Sequence, residues 1–226
     1  MIKAIIFDFD GLIVDTEGPI FAVWQRIYRE RGHDMPRERW QGLIGTATGP
    51  FNPVVDLGQR TGKVHTSQEL NALERLYYRE ATLSQKLLPG VERYLVDAGE
   101  LGLKTAIASS SSREWVVEHL DRFGIAPRFD AIVCRDDVKV TKPDPALYLS
   151  ALQRLECDAR EAIALEDSSN GIRAAKAAGI FCVAVPNPMT ADLDLSAADL
   201  RLESLTAMSL RDLISRAQAN SADSCH

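Results

Sequence analysis

The stretch IIFDFDGLIVDTE, residues 5–17, limits what this chain can fold into more than any other. Its apolar half reads as a short strand covered on both faces. Yet the run ends in Asp8 and Asp10, with Gly11 directly behind. Residues two apart on a strand share a side, and a glycine lets the backbone turn sharply. In an open parallel sheet, ligands bind in the crevice at the carboxyl ends of the strands. Two acids at the mouth of a buried strand therefore point to a site.

A second acidic pair, Glu166 and Asp167, ends another apolar run, AIALED (162–167). If the two strands are neighbours, four carboxylates meet in one crevice. Two unit charges about 4 Å apart repel by roughly 4 kcal/mol at a surface-like effective dielectric. A hard divalent cation resolves that conflict, and oxygen ligands with few dedicated protein donors suit Mg²⁺. The plain alternative is capping: Asp167 precedes SSNGIRAAKAAG and reads equally as a helix N-cap. Capping explains either pair alone better than it explains both pairs at strand ends.

The rest of the chain supplies the sheet. Strand-length apolar runs at 3–9, 104–109, 131–134, 162–167 and 181–185 alternate with helical stretches near 91–101, 112–123, 145–155 and 168–178. A last helix is expected near 207–217. This alternation predicts an α/β fold, a Rossmann-like parallel sheet with helices on both faces and right-handed crossovers. One region breaks it. Residues 15–87 hold helical patterns and no convincing strand, so an α-helical cap domain is inserted after the first strand. Ile20, Val23, Trp24, Ile27 and Tyr28 fall on one helix face, and Leu70, Leu73, Leu76 and Tyr77 make a second stripe. Residues 42–53, rich in Gly, Pro and Thr, read as loop. The expected division is 1–14 with 88–220 for the catalytic core, 15–87 for the cap, and 221–226 for a flexible tail.

Two more elements bring donors and positive charge. IASSSSREW (107–115) follows a strand and opens a helix, so Ser109, Ser110 and the amides after them are placed to hold a phosphate. A serine run there is also a plain cap. VTKPDPALY (140–148) sets Lys142 in a loop next to two prolines, Pro143 and Pro145, a better anion clamp than a freely solvated lysine.

Composition excludes several classes. The 226 residues are 46% apolar and 26% charged, which is globular. The net charge is −6 with no Lys/Arg cluster, so no nucleic-acid partner is expected. No stretch nears the roughly 20 apolar residues that cross a bilayer, and the N-terminus does not read as a signal peptide. No membrane partner is expected. The four cysteines are scattered without a CxxC pair, which suits reduced thiols and a cytoplasmic location.

Taken together, DFDGLIVDTE (8–17), ASSSS (108–112), TKPDP (141–145) and LEDSSNGIRAAKAAG (165–179) resemble the four motifs of the haloacid dehalogenase superfamily, in order. The closest likeness is to its beta-phosphoglucomutase-like and sugar-phosphatase branch. The resemblance implies a role for each matching residue. Asp8 would be the nucleophile that forms an aspartyl phosphate, and Asp10 the general acid and base. Ser109, Ser110 and Lys142 would bind the phosphoryl group. Mg²⁺ would be held by Asp8, Asp167 and the backbone carbonyl of Asp10, with Glu166 a ligand or a partner behind the ligands. Asp10 also argues for phosphate esters over halogenated acids, because dehalogenation needs no proton donor at that position.

Departures from the branch decide between its reactions. Mutase-type members carry a His where this chain has Ile20, and an Arg in the first cap loop where it has Thr48. Neither residue grips a distal phosphate. A phosphatase acting on a small phosphorylated metabolite, such as a sugar phosphate, is the favoured expectation. A phosphomutase of the beta-phosphoglucomutase type is the alternative. A third reading is a sugar-phosphate-binding protein without turnover, against which the full set of catalytic side chains speaks. Trp24, Trp40, Phe51 and Thr48 are candidates for substrate contact, although large aromatics on helices are more often core. His33, His65 and His119 lie outside the motifs, so no histidine base is expected.

Overall fold

A computed structural model of the chain describes residues 1–46, 51–82 and 85–223. Thr48, with its loop neighbours, lies outside the described residues. Among those described, a parallel sheet forms from β1 (Ala4–Phe7), β2 (Lys104–Ala108), β3 (Ala131–Val133), β4 (Ala162–Glu166), β5 (Phe181–Ala184) and β6 (Leu200–Arg201). Their order is β3-β2-β1-β4-β5-β6. The chain fills one half of the sheet outward from β1, then returns to start the other half with β4. The crevice where these halves diverge lies at the carboxyl ends of β1 and β4, the usual ligand position in such sheets.

The helices that cover the sheet are α5 (Val91–Glu100), α6 (Arg113–Phe123), α7 (Ala146–Leu155), α8 (Ser169–Ala177) and α9 (Leu210–Asp223). Strand alternation sorts the core into two layers. Ile5 and Phe7 pack with Val91, Tyr94, Val116, Leu120 and Leu213 on one face. Ala4 and Ile6 pack with Leu147, Tyr148, Ala151 and Ile172 on the other. Because both faces are dry, the strands read as unbroken apolar runs.

Between β1 and α5 lies the helical insertion: α1 (Glu17–Arg29), α2 (Arg37–Gln41), α3 (Pro53–Thr61) and α4 (Ser67–Ala81). It has its own apolar cluster of Phe21, Trp24, Ile27, Tyr28, Trp40, Leu57 and Leu70, among others. Asn52 caps α3 by accepting from the amides of Val54 and Val55, and Thr66 caps α4 by accepting from that of Glu69.

Three expectations need correction. The edge strand β6 has two residues, too short for any periodicity to register. The last helix begins at Leu210 and runs to Asp223, across much of the stretch expected as a tail; residues 224–226 lie outside the described residues. On α4 the stripe holds at Leu70, Leu73 and Tyr77, which pack in the insertion's cluster, but Leu76 is 54% exposed and Tyr78 is buried instead. Ser67, Asn71 and Glu74, spaced by four and then three positions, face a cavity instead.

Candidate active site

Alternation along β1 and β4 explains where the acids go. Phe7 pairs with Leu165, and the amide of Asp8 donates to the carbonyl of Leu165 at 2.9 Å. Asp8 and Glu166 therefore sit level on adjacent strands. Each continues the side that faces α7, the layer of Ala4 and Ala164. Asp167 follows one residue on. Asp8, Glu166 and Asp167 each offer an oxygen such that all three lie within 4.8 Å of one another. They are 4%, 0% and 0% exposed, so water does little to screen their repulsion.

One cation is built into the cluster. Lys142, 1% exposed, donates to a carboxylate oxygen of Asp8 and to Oε1 of Glu166 at 2.6 Å. The Tyr148 hydroxyl on α7 donates to the same Glu166 oxygen at 2.6 Å, and the Ser168 hydroxyl to Oε2 at 3.3 Å. Burial works against the Lys142 ammonium, but Asp8 and Glu166 outweigh it and hold it above its ordinary value. Burial, joined by Glu166 and Asp10, pushes the Asp8 carboxyl up to about 8, against the pull of Lys142. Burial, with Asp8 and Glu166 beside it, also holds Asp167 well above the usual carboxylate range.

Three carboxyl groups share one ammonium, so ionising all three would leave the cluster with excess negative charge. Oδ2 of Asp167 accepts from the Asn187 side-chain amide at 2.7 Å. Its Oδ1 is buried without a hydrogen-bond partner among the described residues. A buried carboxylate oxygen left unpaired among like charges is the donor a hard divalent cation requires. The residues present fit such an ion. Glycines make the close approach possible. At Gly11, where φ is +78°, a Cβ would overlap the Asp167 carboxylate and the Asn187 amide. At Gly171 it would overlap the Glu166 carboxylate.

Asp10 stands apart from this cluster, across a tight turn closed by the bond from the Gly11 amide to the Val14 carbonyl at 2.8 Å. Its Oδ1 accepts from the Thr16 hydroxyl at 2.8 Å and the Trp115 indole at 2.9 Å. Its Oδ2 accepts from Ser111 at 2.6 Å and lies 3.4 Å from the Ser109 hydroxyl. Ser109 is fully buried after β2 and also accepts from the amide of Ser111 at 3.0 Å. The Ser110 hydroxyl donates to the carbonyl of Gly45 in the insertion at 3.1 Å, tying the serine loop to it.

Asp8 and Asp10 open into a cavity of about 520 Å³ between the sheet and the insertion. Its far wall holds Glu17, Trp24, Trp40, Asn71 and Glu74. Trp40 donates its indole N–H to Glu17 at 3.3 Å, and Trp24 donates to Glu74 at 2.9 Å. Burial and the nearby Asp10 push Glu17 up to about 8, and burial also raises Glu74. Trp24 and Trp40 are thus both core and wall; Phe51 does not line the cavity.

All seven residues expected from the sequence, Asp8, Asp10, Ser109, Ser110, Lys142, Glu166 and Asp167, converge here. The sequence reading missed Thr16, Ser111, Trp115, Tyr148 and Asn187. Thr16 and Ser111 lie inside quoted motifs and were within reach. Trp115 and Tyr148 end the stretches 107–115 and 140–148, but which way they face is set by the packing of α6 and α7; Asn187 arrives from a loop after β5, and no local spacing announces it.

Comparison with known proteins agrees with this geometry. The family pattern for haloacid dehalogenase-like hydrolase matches residues 5–185. The YhcW protein of Bacillus subtilis (strain 168) is 46% identical over 214 residues, covering 95% of this chain and 97% of its own. Hexitol phosphatase B of Escherichia coli (strain K12) is 32% identical over 221 residues, covering 94% and 97%. The crystal structure of a beta-phosphoglucomutase from Clostridium difficile superposes with a TM-score of 0.79 at 25% identity, covering 98% of this chain and 100% of that one. With its sheet order, its acidic strand tips and these likenesses in accord, the chain belongs to the haloacid dehalogenase-like hydrolase family.

Proposed function

We propose that this chain is a Mg²⁺-dependent phosphatase that hydrolyses a small phosphorylated metabolite, such as a sugar phosphate, through an aspartyl-phosphate intermediate. The observation that carries the reading is the meeting of the Asp8–Lys142–Glu166–Asp167 cluster with Asp10 at the floor of one cavity. The name of its relative hexitol phosphatase B supports the substrate class.

In the first step an Asp8 oxygen attacks phosphorus, the bond to the ester oxygen breaks, and Asp10 gives that oxygen a proton. In the second step water attacks the aspartyl phosphate, Asp10 takes a proton from it, and the Asp8–phosphorus bond breaks to free phosphate. Lys142 neutralises oxygens of the phosphoryl group while staying paired with Glu166. The Ser109 hydroxyl and the amides behind it offer donors to the same group. Such chemistry is mostly positioning and charge stabilisation. Asp8 and Asp167 would hold Mg²⁺, with the backbone carbonyl of Asp10. Glu166, whose oxygens are already engaged, would stand behind them and fix Lys142. The ion supplies the positive charge that lets a carboxylate approach a phosphate dianion.

In this reading residues 15–87 act as a cap that closes over the substrate and excludes bulk water. The mutase alternative draws on the likeness to beta-phosphoglucomutase. Ile20 lines the cavity where a mutase-type histidine is expected, and an isoleucine transfers no proton.

The test is phosphate release from a panel of phosphorylated metabolites with Mg²⁺. Activity is expected to vanish with EDTA and in Asp8→Asn, by at least about 1,000-fold for loss of the nucleophile. Turnover without a metal, or near-normal turnover in Asp8→Asn, would overturn the mechanism.

A further inference from the structure

The far wall of the cavity is acidic, and nothing in the proposed reaction uses it. Glu17 opens α1, and Glu74 lies in the middle of α4. Both line the cavity that holds Asp8 and Asp10. Each carboxylate accepts an indole N–H, from Trp40 and Trp24 respectively. Among the described residues neither takes part in an ion pair within 4.0 Å. Arg135 is the one basic side chain lining the cavity among those residues, and it sits on the sheet side, exposed. The other polar side chains of that wall, Thr46, Asn52, Ser67 and Asn71, are uncharged, and Ile20, Leu43 and Val54 are apolar.

We infer that Glu74, together with Glu17, selects substrates by the charge of the end remote from the phosphate, admitting a hydroxylated neutral chain and refusing a second anion. The inference rests on the phosphatase reading of the same cavity. A carboxylate accepts hydrogen bonds from hydroxyl groups, and two carboxylates with nearby amides suit a polyol or sugar. Indole faces suit the C–H edges of such a chain. Burial raises both carboxyls, Glu17 to about 8, so above that pH a second phosphate or a terminal carboxylate would meet like charge in a partly desolvated wall, where repulsion is stronger than in water. The indole N–H bonds fix both carboxylates in place, so neither swings away to make room. Glu74 is the more informative of the two, because it lies on α4, far in sequence from the nucleophile's loop.

The experiment, run at about pH 9 so that both carboxyls are ionised, compares kcat/KM for a hexitol 6-phosphate and for the 6-phosphate of the matching hexonic acid, in the wild type and in Glu74→Gln. Gln keeps the shape and an oxygen for Trp24 while removing the charge. Each rate is divided by that for acetyl phosphate, too short to reach α4, which controls for folding. The wild type is expected to favour the hexitol ester by at least about tenfold, equal to about 1.4 kcal/mol. Glu74→Gln is expected to shrink that ratio severalfold, chiefly by lowering KM for the hexonic acid ester. A wild-type ratio within about twofold of unity, or a ratio unchanged in Glu74→Gln, overturns the inference. A tenfold preference for a 2-amino hexose 6-phosphate over the plain hexose 6-phosphate also overturns it, since the wall would then be an ammonium site. If no ester turns over, the phosphatase reading fails first. Calorimetric binding of the same two 6-phosphates in the presence of Mg²⁺ then still decides the charge selection.

Discussion

On the floor of the cavity Asp8, Lys142, Glu166 and Asp167 are packed against one another, with almost no exposure. On the roof Glu17 and Glu74 stand apart, each partly buried and each held by a single indole. The floor is one network in which every charge depends on another. The roof is a set of separate contacts on separate helices. A network of that kind tolerates little change, because removing one member leaves a buried charge uncompensated. A wall of separate contacts changes one property at a time. On the proposed reading, the contrast assigns reaction chemistry to the floor and discrimination between substrates to the roof.

The hardest blow to that contrast would come at Lys142. Lys142→Met leaves Asp8 and Glu166 facing each other without their shared cation. We expect a loss of at least about 100-fold in kcat/KM, and a stability loss of about 3–5 kcal/mol read from denaturant melts. A mild effect on both would mean that the floor is not a network.

A second variant asks whether the roof is a separate body. Leu57 is fully buried in the insertion's own cluster. Leu57→Ala is expected to cost about 2–5 kcal/mol within that cluster. Hydrogen exchange should quicken in α1, α3 and α4 while β1 and β4 keep their protection. Equal loss of protection in the sheet would show that floor and roof unfold as one.

The smallest effect tests the seam. Trp115 on α6 gives its N–H to Asp10 and packs against Tyr78 of α4, ring centroids 4.9 Å apart. Tyr78 in turn contacts Nε2 of His119 at 3.1 Å. The indole thus positions the proposed acid while touching the insertion. Trp115→Phe keeps the packing and removes the hydrogen bond. A fall in kcat of about tenfold with KM little changed is expected. A change confined to KM would assign Trp115 to binding instead.

Legibility followed the same division. The floor could be read because its residues sit at the ends of apolar runs and inside short motifs. Asp8 and Asp167 follow strands, Glu166 ends one, and Lys142 stands just before two close prolines. The roof could not. Trp24 and Trp40 look like ordinary core in sequence, and they are core as well as wall. Glu74 looks like a solvated charge on a helix with a leucine stripe. Only the packing of α4, with Leu70, Leu73 and Tyr77 in the insertion's cluster, sets Ser67, Asn71 and Glu74 along the cavity. Asn187, which holds Asp167, comes from a loop with no periodic signal at all.

The sequence by itself determined five of the six described strands, which acids sit at strand tips, and that a helical segment interrupts the alternation. Those properties are local, set by the period of apolar residues and by the few residues around each tip. The tertiary structure alone decided that β1 and β4 are neighbours, which brings Asp8 level with Glu166, and that two tryptophans hold two carboxylates across the cavity from them. Strand order and helix rotation depend on how whole surfaces pack, and packing joins residues whose separation along the chain carries no pattern.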